Sequence, residues 1–252
     1  MPGDADLAAV GSLLAEPARA QILLALGDGR ALAASVLAAE AGIAPSTASA
    51  HLGRLVEGGL LTAEHHGRHR YFRLAGPQVG ELLETVARLA PAAPVRSLRQ
   101  GTRAEAVRTA RTCYDHLAGR LGTALMAALL ERGVLAGGDG AFHPEGGDRL
   151  SSPGGDVPYE LTEHGAGFLR DDLGVDVAAI GGRRPLVRYC VDWSEQRHHL
   201  AGALGAAVAD RLFALGWLER APRGRAVFLT SGGEAGLSDV LGVEVDALAH
   251  YS

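Results

Sequence analysis

The chain has only two cysteines in 252 residues, Cys113 and Cys190, and it has no lysine and no asparagine. Two cysteines exclude a disulfide framework as the source of stability. All 24 basic residues are therefore arginine. Because lysine and asparagine have A/T-rich codons, their joint absence points to a GC-rich, bacterial coding sequence. No apolar run approaches the roughly 18 residues that a membrane span needs. The opening MPGDADLAAV also lacks the basic start and long apolar stretch of a secretory signal. A cytoplasmic protein with no membrane partner is expected. The net charge of −5 argues against a protein that coats nucleic acid, but charge can still be concentrated locally.

At this length the chain suits one large domain or two small ones. LAAVGSLLAEPARAQILLALG (7–27) has apolar residues at helical spacing with a break at Glu16-Pro17, which predicts two short helices, the second stopping near Gly27. ALAASVLAAEAG predicts a third helix ending at Gly42, and IAPSTASAHLGRLVEGGL a fourth, with Pro45 in its first turn. LLTAEHHGRHRYFRL reads as a hairpin turning at Gly67, and GPQVGELLETVARLA as another amphipathic helix. Helix, helix, short turn, helix, hairpin is the order of a winged helix-turn-helix, expected over residues 1–90. The proline-bearing stretch 91–102 reads as a linker to a second region.

That second region, 103–252, repeats itself. CYDHLAGRLGTALMAALLERGVL is matched by CVDWSEQRHHLAGALGAAVADRLFALGWL, and YELTEHGAGFLRDDLGVDV by VFLTSGGEAGLSDVLGVEV. Each half predicts a long helix, a short hairpin and a short helix, with repeats at about 103–182 and 183–252. The expected fold is α+β, mainly α: an N-terminal winged helix-turn-helix plus a C-terminal domain of two winged-helix-like repeats.

In APSTASAHLGRL, Leu52 and Leu55 fall on one helical face and Val56 continues it. Pro45, Ser46, Thr47, Ser49, His51 and Arg54 occupy the start and the opposite face. Small hydroxyl residues in a first turn let the backbone approach a major-groove floor, and the helix N-terminus favours a phosphate. Arg68 and Arg70 fall at the hairpin tip, where arginine enters a minor groove or grips phosphate. Residues 41–80 hold four arginines and four histidines against two glutamates, a locally positive segment in an acidic chain.

EPARAQILLAL, STASAHLGRLVEGGLL and HHGRHRYFRL together resemble the ArsR family of bacterial winged-helix repressors, over about residues 10–90. The resemblance implies a homodimer on a double-stranded, two-fold DNA operator, since one recognition helix buries too little surface for specificity. LAAVGSLL and ELLETVARLA are the apolar helices available to pack between subunits. Metal-sensing members of the family carry cysteines near the first helix of the helix-turn-helix, or Asp, His and Glu along the last helix of that domain. Here the matching stretches, ALAASVLAAE and GELLETVARLA, contain neither Cys nor His. Those two sites are absent.

Each cysteine sits two residues before an aspartate, Cys113 before Asp115 and Cys190 before Asp192, and His116 aligns with His199 if six residues are inserted in the second half. Packing of the halves about a pseudo-two-fold axis would converge Cys113, His116, Cys190 and His198 or His199. Two thiolates with two imidazoles suit a Zn-like divalent ion. Two other readings stand beside it. One is thiol redox or small-molecule sensing, on the premise that a cysteine ahead of a helix start has a depressed pKa. The other is plain architecture, with Asp192 opening the capping pattern DWSE and Asp115 capping its own helix. At the level of function, the competitors to an effector-controlled repressor are a thiol-dependent enzyme of organomercurial-lyase type and a constitutive DNA-binding factor.

Overall fold

The computed structural model describes residues 4–66, 69–91, 98–143, 157–222 and 224–249. It divides into two compact units. One comprises residues 1–83 with 222–225, the other residues 84–221 and 226–252. The expected linker differs from what is found: the division falls at 83/84, inside a helix, and another helix begins at Leu98. Residues 92–97 of that stretch lie outside the described residues.

The first unit opens with α1 (Leu7–Leu14) and α2 (Pro17–Ala25), which meet at 87°. The bend is built from Glu16-Pro17-x-Arg19. The Glu16 carboxylate accepts from the Arg19 amide at 2.8 Å as N-cap, and proline occupies the first turn, where its missing N–H costs nothing. The buried Arg19 guanidinium donates to the carbonyls of Ser12 (2.6 Å) and Leu13 (2.8 Å), satisfying acceptors that the end of α1 leaves open. Then come β1 (Leu32–Ala33), α3 (Ala34–Ala41), α4 (Pro45–Glu57), β2 (Leu61–His66) and β3 (His69–Leu74). The strands form an antiparallel sheet in the order β1-β3-β2, with Leu32 opposite Phe72 and Leu61 opposite Leu74. Ile22, Leu23, Leu26, Leu37, Leu52, Leu55, Leu61 and Phe72 are all at most 2% exposed. At about 1.5–3 kcal/mol for each large apolar side chain, this core is what sets α4 on the sheet. Helix α5 (Pro77–Leu89) begins in this unit and ends in the other.

The second unit continues with α6 (Leu98–Thr109), then β4 (Arg111–Cys113), β5 (His116–Ala118), α7 (Gly119–Glu131), β6 (Leu135–Ala136), β7 (Glu160–Leu161) and α8 (Glu163–Asp171). After a short 3-10 turn come β8 (Arg188–Val191), β9 (His198–Ala201), α9 (Gly202–Ala214), β10 (Leu218–Arg220), β11 (Val227–Leu229), α10 (Ser231–Gly236) and α11 (Val245–Ala249). Both halves thus run hairpin, 13-residue helix, hairpin, short helix. LVRYCVDW reads as a half-buried strand and supplies Arg188–Val191; the other strands of the leading hairpins are additions to what the sequence predicts, because three or four residues carry little alternation.

Local chemistry corresponds between the halves. Gly119 and Gly202 begin the long helices at φ +76° and +81°, where a side chain is strained. In the shared Leu-Thr-x-x-Gly-x-x-x-Leu, Thr162 and Thr230 accept from the amides of Gly165 (2.8 Å) and Gly233 (2.9 Å) as N-caps. Leu169 and Leu237 close the pattern with no exposed surface. The long helices cross over: α7 packs on β9 and α9 on β5, while β5 and β9 also touch. This exchange carries one continuous aliphatic core, including Leu121, Met126, Leu129, Val191, Leu204 and Leu212. Among the described residues no single helix is long and apolar enough to cross a membrane.

Candidate functional site

Two places carry chemistry. On α4, Ala48, Leu52 and Leu55 are buried, whereas Pro45, Ser46, Thr47, Ser49 and Arg54 are exposed. The Ser49 hydroxyl donates back to the Pro45 carbonyl at 3.0 Å, so it is engaged within the helix. His51 departs from the exposed face: its ring is only 14% exposed, and Nε2 lies 3.7 Å from the Glu16 carboxylate. Arg70 is exposed and stacks over Phe72 at 4.9 Å. Arg68 lies outside the described residues. A polar, small-residue helix face beside an arginine-bearing hairpin can enter a groove and grip its phosphates.

The second place is the crossing of the two leading hairpins. In the β4–β5 register Cys113 stands opposite His116, and in β8–β9 Cys190 stands opposite His199. Residues paired across antiparallel strands share a sheet face. Contact of β5 with β9 then brings the two pairs together, with the His116 and His199 rings 5.2 Å apart between centroids. One ligand atom from each of Cys113, His116, Cys190 and His199 lies within 4.8 Å of all the others. The four residues are 3%, 4%, 3% and 0% exposed. His198 does not join them. Strand alternation turns it to the opposite face, where Nδ1 meets the Tyr159 hydroxyl at 2.7 Å and the ring packs on Tyr189 at 4.2 Å.

The two aspartates serve the histidines. Asp115, in the two-residue turn after Tyr114, lies 3.1 Å from His116 Nδ1 and is itself held by the Arg184 guanidinium. Asp192 lies 3.4 Å from His199 Nδ1. Its Oδ2 accepts from Arg111 (2.8 Å) and from the amide of Gly119 (2.7 Å), and its Oδ1 from Ser194. Arg111, with no exposed surface, also lies 3.6 Å from Glu84 on α5 and under the Trp193 ring. Each Cys-x-Asp thus supplies one thiol and, two residues on, a carboxylate beside an imidazole.

This geometry revises two readings. Asp192 does not open a helix. It caps the turn Trp193–Glu195 through the Ser194 and Glu195 amides, and Gln196 at φ +52° ends that turn. Asp115 caps no helix either; the amide that begins α7 is met by Asp192 from the other half. Cys113 is not the depressed thiol that easy oxidation requires. The Cys113 thiol is pushed up to about 12 by its hydrogen bond with Cys190, by burial and by the Glu84 charge. Burial pushes His116 down, but the Cys113 sulfur and the Asp115 hydrogen bond outweigh it and raise the ring to about 9. His199 is raised in the same way, against burial, chiefly by Asp192. Burial would raise Asp192, yet the Arg111 charge holds its carboxyl well below the usual range.

Comparison with known proteins gives a consistent picture. A helix-turn-helix domain family matches residues 14–64. The chain is similar to the HTH-type transcriptional regulator YdfF of Bacillus subtilis, 39% identical over 241 residues, covering 95% of this chain and 99% of that protein. It is also similar to the HTH-type transcriptional regulator Rv0324 of Mycobacterium tuberculosis, 40% identical over 81 residues, or 32% of this chain and 35% of that one. Among solved structures, the winged helix-turn-helix domain of Mb0332 from Mycobacterium bovis, described as a possible ArsR-family regulator, is 36% identical. That match covers 35% of this chain and 89% of the domain with a TM-score of 0.31.

Proposed function

Since the chain belongs to the family of HTH-type transcriptional regulators that includes YdfF, we propose that it is a cytoplasmic, dimeric repressor whose C-terminal unit receives an effector. The observation that carries the DNA-reading half is the exposed face of α4, with small and hydroxyl residues at Pro45–Ser49 and Arg54 one turn on. Beside it the β2–β3 hairpin presents Arg70, and by sequence Arg68. A dimer on an inverted repeat follows from size, because one helix and one wing bury too little surface to select a site in a genome. The effector half is supported by the buried thiol–imidazole cluster, which has no part in contacting DNA yet holds two histidines, two cysteines and their orienting charges in one place.

The test is a set of substitutions read on an operator selected from a random duplex library. Arg68→Ala is expected to weaken binding to all sequences and lower the salt slope by about 1, the signature of a lost phosphate contact. Thr47→Ala is expected to change the ranking of operator variants at nearly constant salt slope. Parent-like binding by both proteins would remove α4 and the wing as the reading surface.

A further inference from the structure

We infer that Cys113, His116, Cys190 and His199 form a four-ligand centre for one thiophilic divalent d10 ion, with Zn²⁺ the best match. The first argument is the donor set. Two sulfurs and two imidazole nitrogens, with no oxygen donor among the four, exclude the hard cations Ca²⁺ and Mg²⁺ and favour a borderline-soft ion. Tetrahedral bonds of about 2.0–2.3 Å put ligand atoms roughly 3.3–3.8 Å apart, so atoms already within 4.8 Å need draw in by no more than about 1.5 Å. Small rotations of short side chains on two touching hairpins supply that.

The second argument is unmet polarity. Nε2 of both His116 and His199 is buried and accepts or donates no hydrogen bond. Nδ1 of His116 is hydrogen-bonded to Asp115 at 3.1 Å, and Nδ1 of His199 lies 3.4 Å from Asp192, at ion-pair distance but without a hydrogen bond. That is the arrangement in which a histidine offers Nε2 to a metal while a carboxylate fixes its tautomer and raises its basicity.

Charge gives the third argument. Two thiolates and two neutral imidazoles carry −2, which a divalent ion cancels, so the fully buried site becomes neutral on loading. Outside it Asp115 pairs with Arg184, and Asp192 and Glu84 share Arg111. Four protein ligands leave no open position, so this is a centre that holds or senses an ion and does no chemistry on a substrate. Its two halves come from different repeats, and an ion therefore ties the β4–β5 hairpin to β8–β9. His199 connects through Asp192 and Arg111 to Glu84 of α5, the helix that continues into residues 77–83 of the first unit. Transmission along that route rests on the repressor reading above; the centre itself does not.

The experiment uses the reduced, chelator-stripped full-length protein. Titration with Co²⁺ is expected to reach one ion per chain, with thiolate-to-cobalt charge-transfer bands and the strong visible bands of a tetrahedral ion, and Zn²⁺ is expected to bleach both. Cys190→Ser should lose the charge-transfer intensity. Should that variant fail to fold, Asp115→Asn keeps all four ligands and is expected to weaken Zn²⁺ uptake 10–100-fold. Absence of stoichiometric Co²⁺ or Zn²⁺ uptake by the unaltered protein overturns the centre, as does uptake that is octahedral or insensitive to Asp115→Asn. Operator affinity is measured on the same samples. Uptake with equal operator affinity in stripped and loaded protein supports the centre and retires the effector reading, so the two failures are separable.

Discussion

At the scale of single residues, the cluster makes its histidines unequal although they are adjacent in the chain. His199→Gln is expected to abolish stoichiometric Zn²⁺ uptake. His198→Gln should leave uptake intact and cost only stability, because its partner is the Tyr159 hydroxyl on the other strand face; titration calorimetry beside a denaturant melt separates the two. Proton linkage adds a sign. In the metal-free protein Cys113 is raised to about 12, so its thiol holds a proton at neutral pH. Binding must release that proton, and apparent Zn²⁺ affinity should therefore rise with pH, by about tenfold per unit for each proton released. A flat profile between pH 6 and 8 in a competition assay would contradict this. Asp192→Asn tests the buried charges. Losing the carboxylate that meets Arg111 at 2.8 Å should destabilise the second unit by about 3–5 kcal/mol, seen as a lowered urea midpoint.

At the scale of elements, two glycines set how closely the hairpins and long helices approach. A Cβ on Gly122 would lie 2.6 Å from the Leu117 carbonyl oxygen and 3.5 Å from His199 Cβ. On Gly205 it would lie 2.7 Å from the Leu200 oxygen and 3.3 Å from His116 Cβ. Gly122→Ala or Gly205→Ala must push a helix off its hairpin and spread the ligands, so each should weaken Zn²⁺ uptake as well as stability. Gly53 in α4 has open space around its Cβ position, and Gly53→Ala should stabilise the first unit by about 0.5–1 kcal/mol through helix propensity. Thermal denaturation of the three variants distinguishes steric from propensity effects. The helices of the first unit were legible because caps and breakers mark them: Glu16-Pro17, Gly42, Pro45 and Gly58 all stand at helix ends. Strand β1, two residues long, had no pattern to read.

At the scale of the whole molecule, apolar surface remains that one chain does not cover. Leu7 on α1 is 79% exposed and Leu89 on α5 is 73% exposed. Helix α1 buries none of its residues fully. A dimer that covers these leucines predicts that a Leu7→Glu, Leu89→Glu double variant sediments as a monomer and loses operator affinity while still taking up one Zn²⁺ per chain. If it stays dimeric, the subunit interface lies elsewhere.

The linear chain by itself determined the winged helix-turn-helix and, in the second region, the order of long helix, hairpin and short helix, because helix caps, apolar period and turn residues are local and act within a few positions. It also exposed the paired Cys-x-Asp, since two similar stretches can be compared without coordinates. The partnership of Cys113 and His116 with Cys190 and His199, the exclusion of His198 and the turning of both aspartates toward imidazoles were decided by tertiary structure alone. Those depend on strand register and on two hairpins crossing some eighty residues apart, and a one-residue shift of β9 would have put His198 in place of His199. Local sequence encodes which face a residue takes within its element; which faces meet is settled only when the cores of both halves are packed.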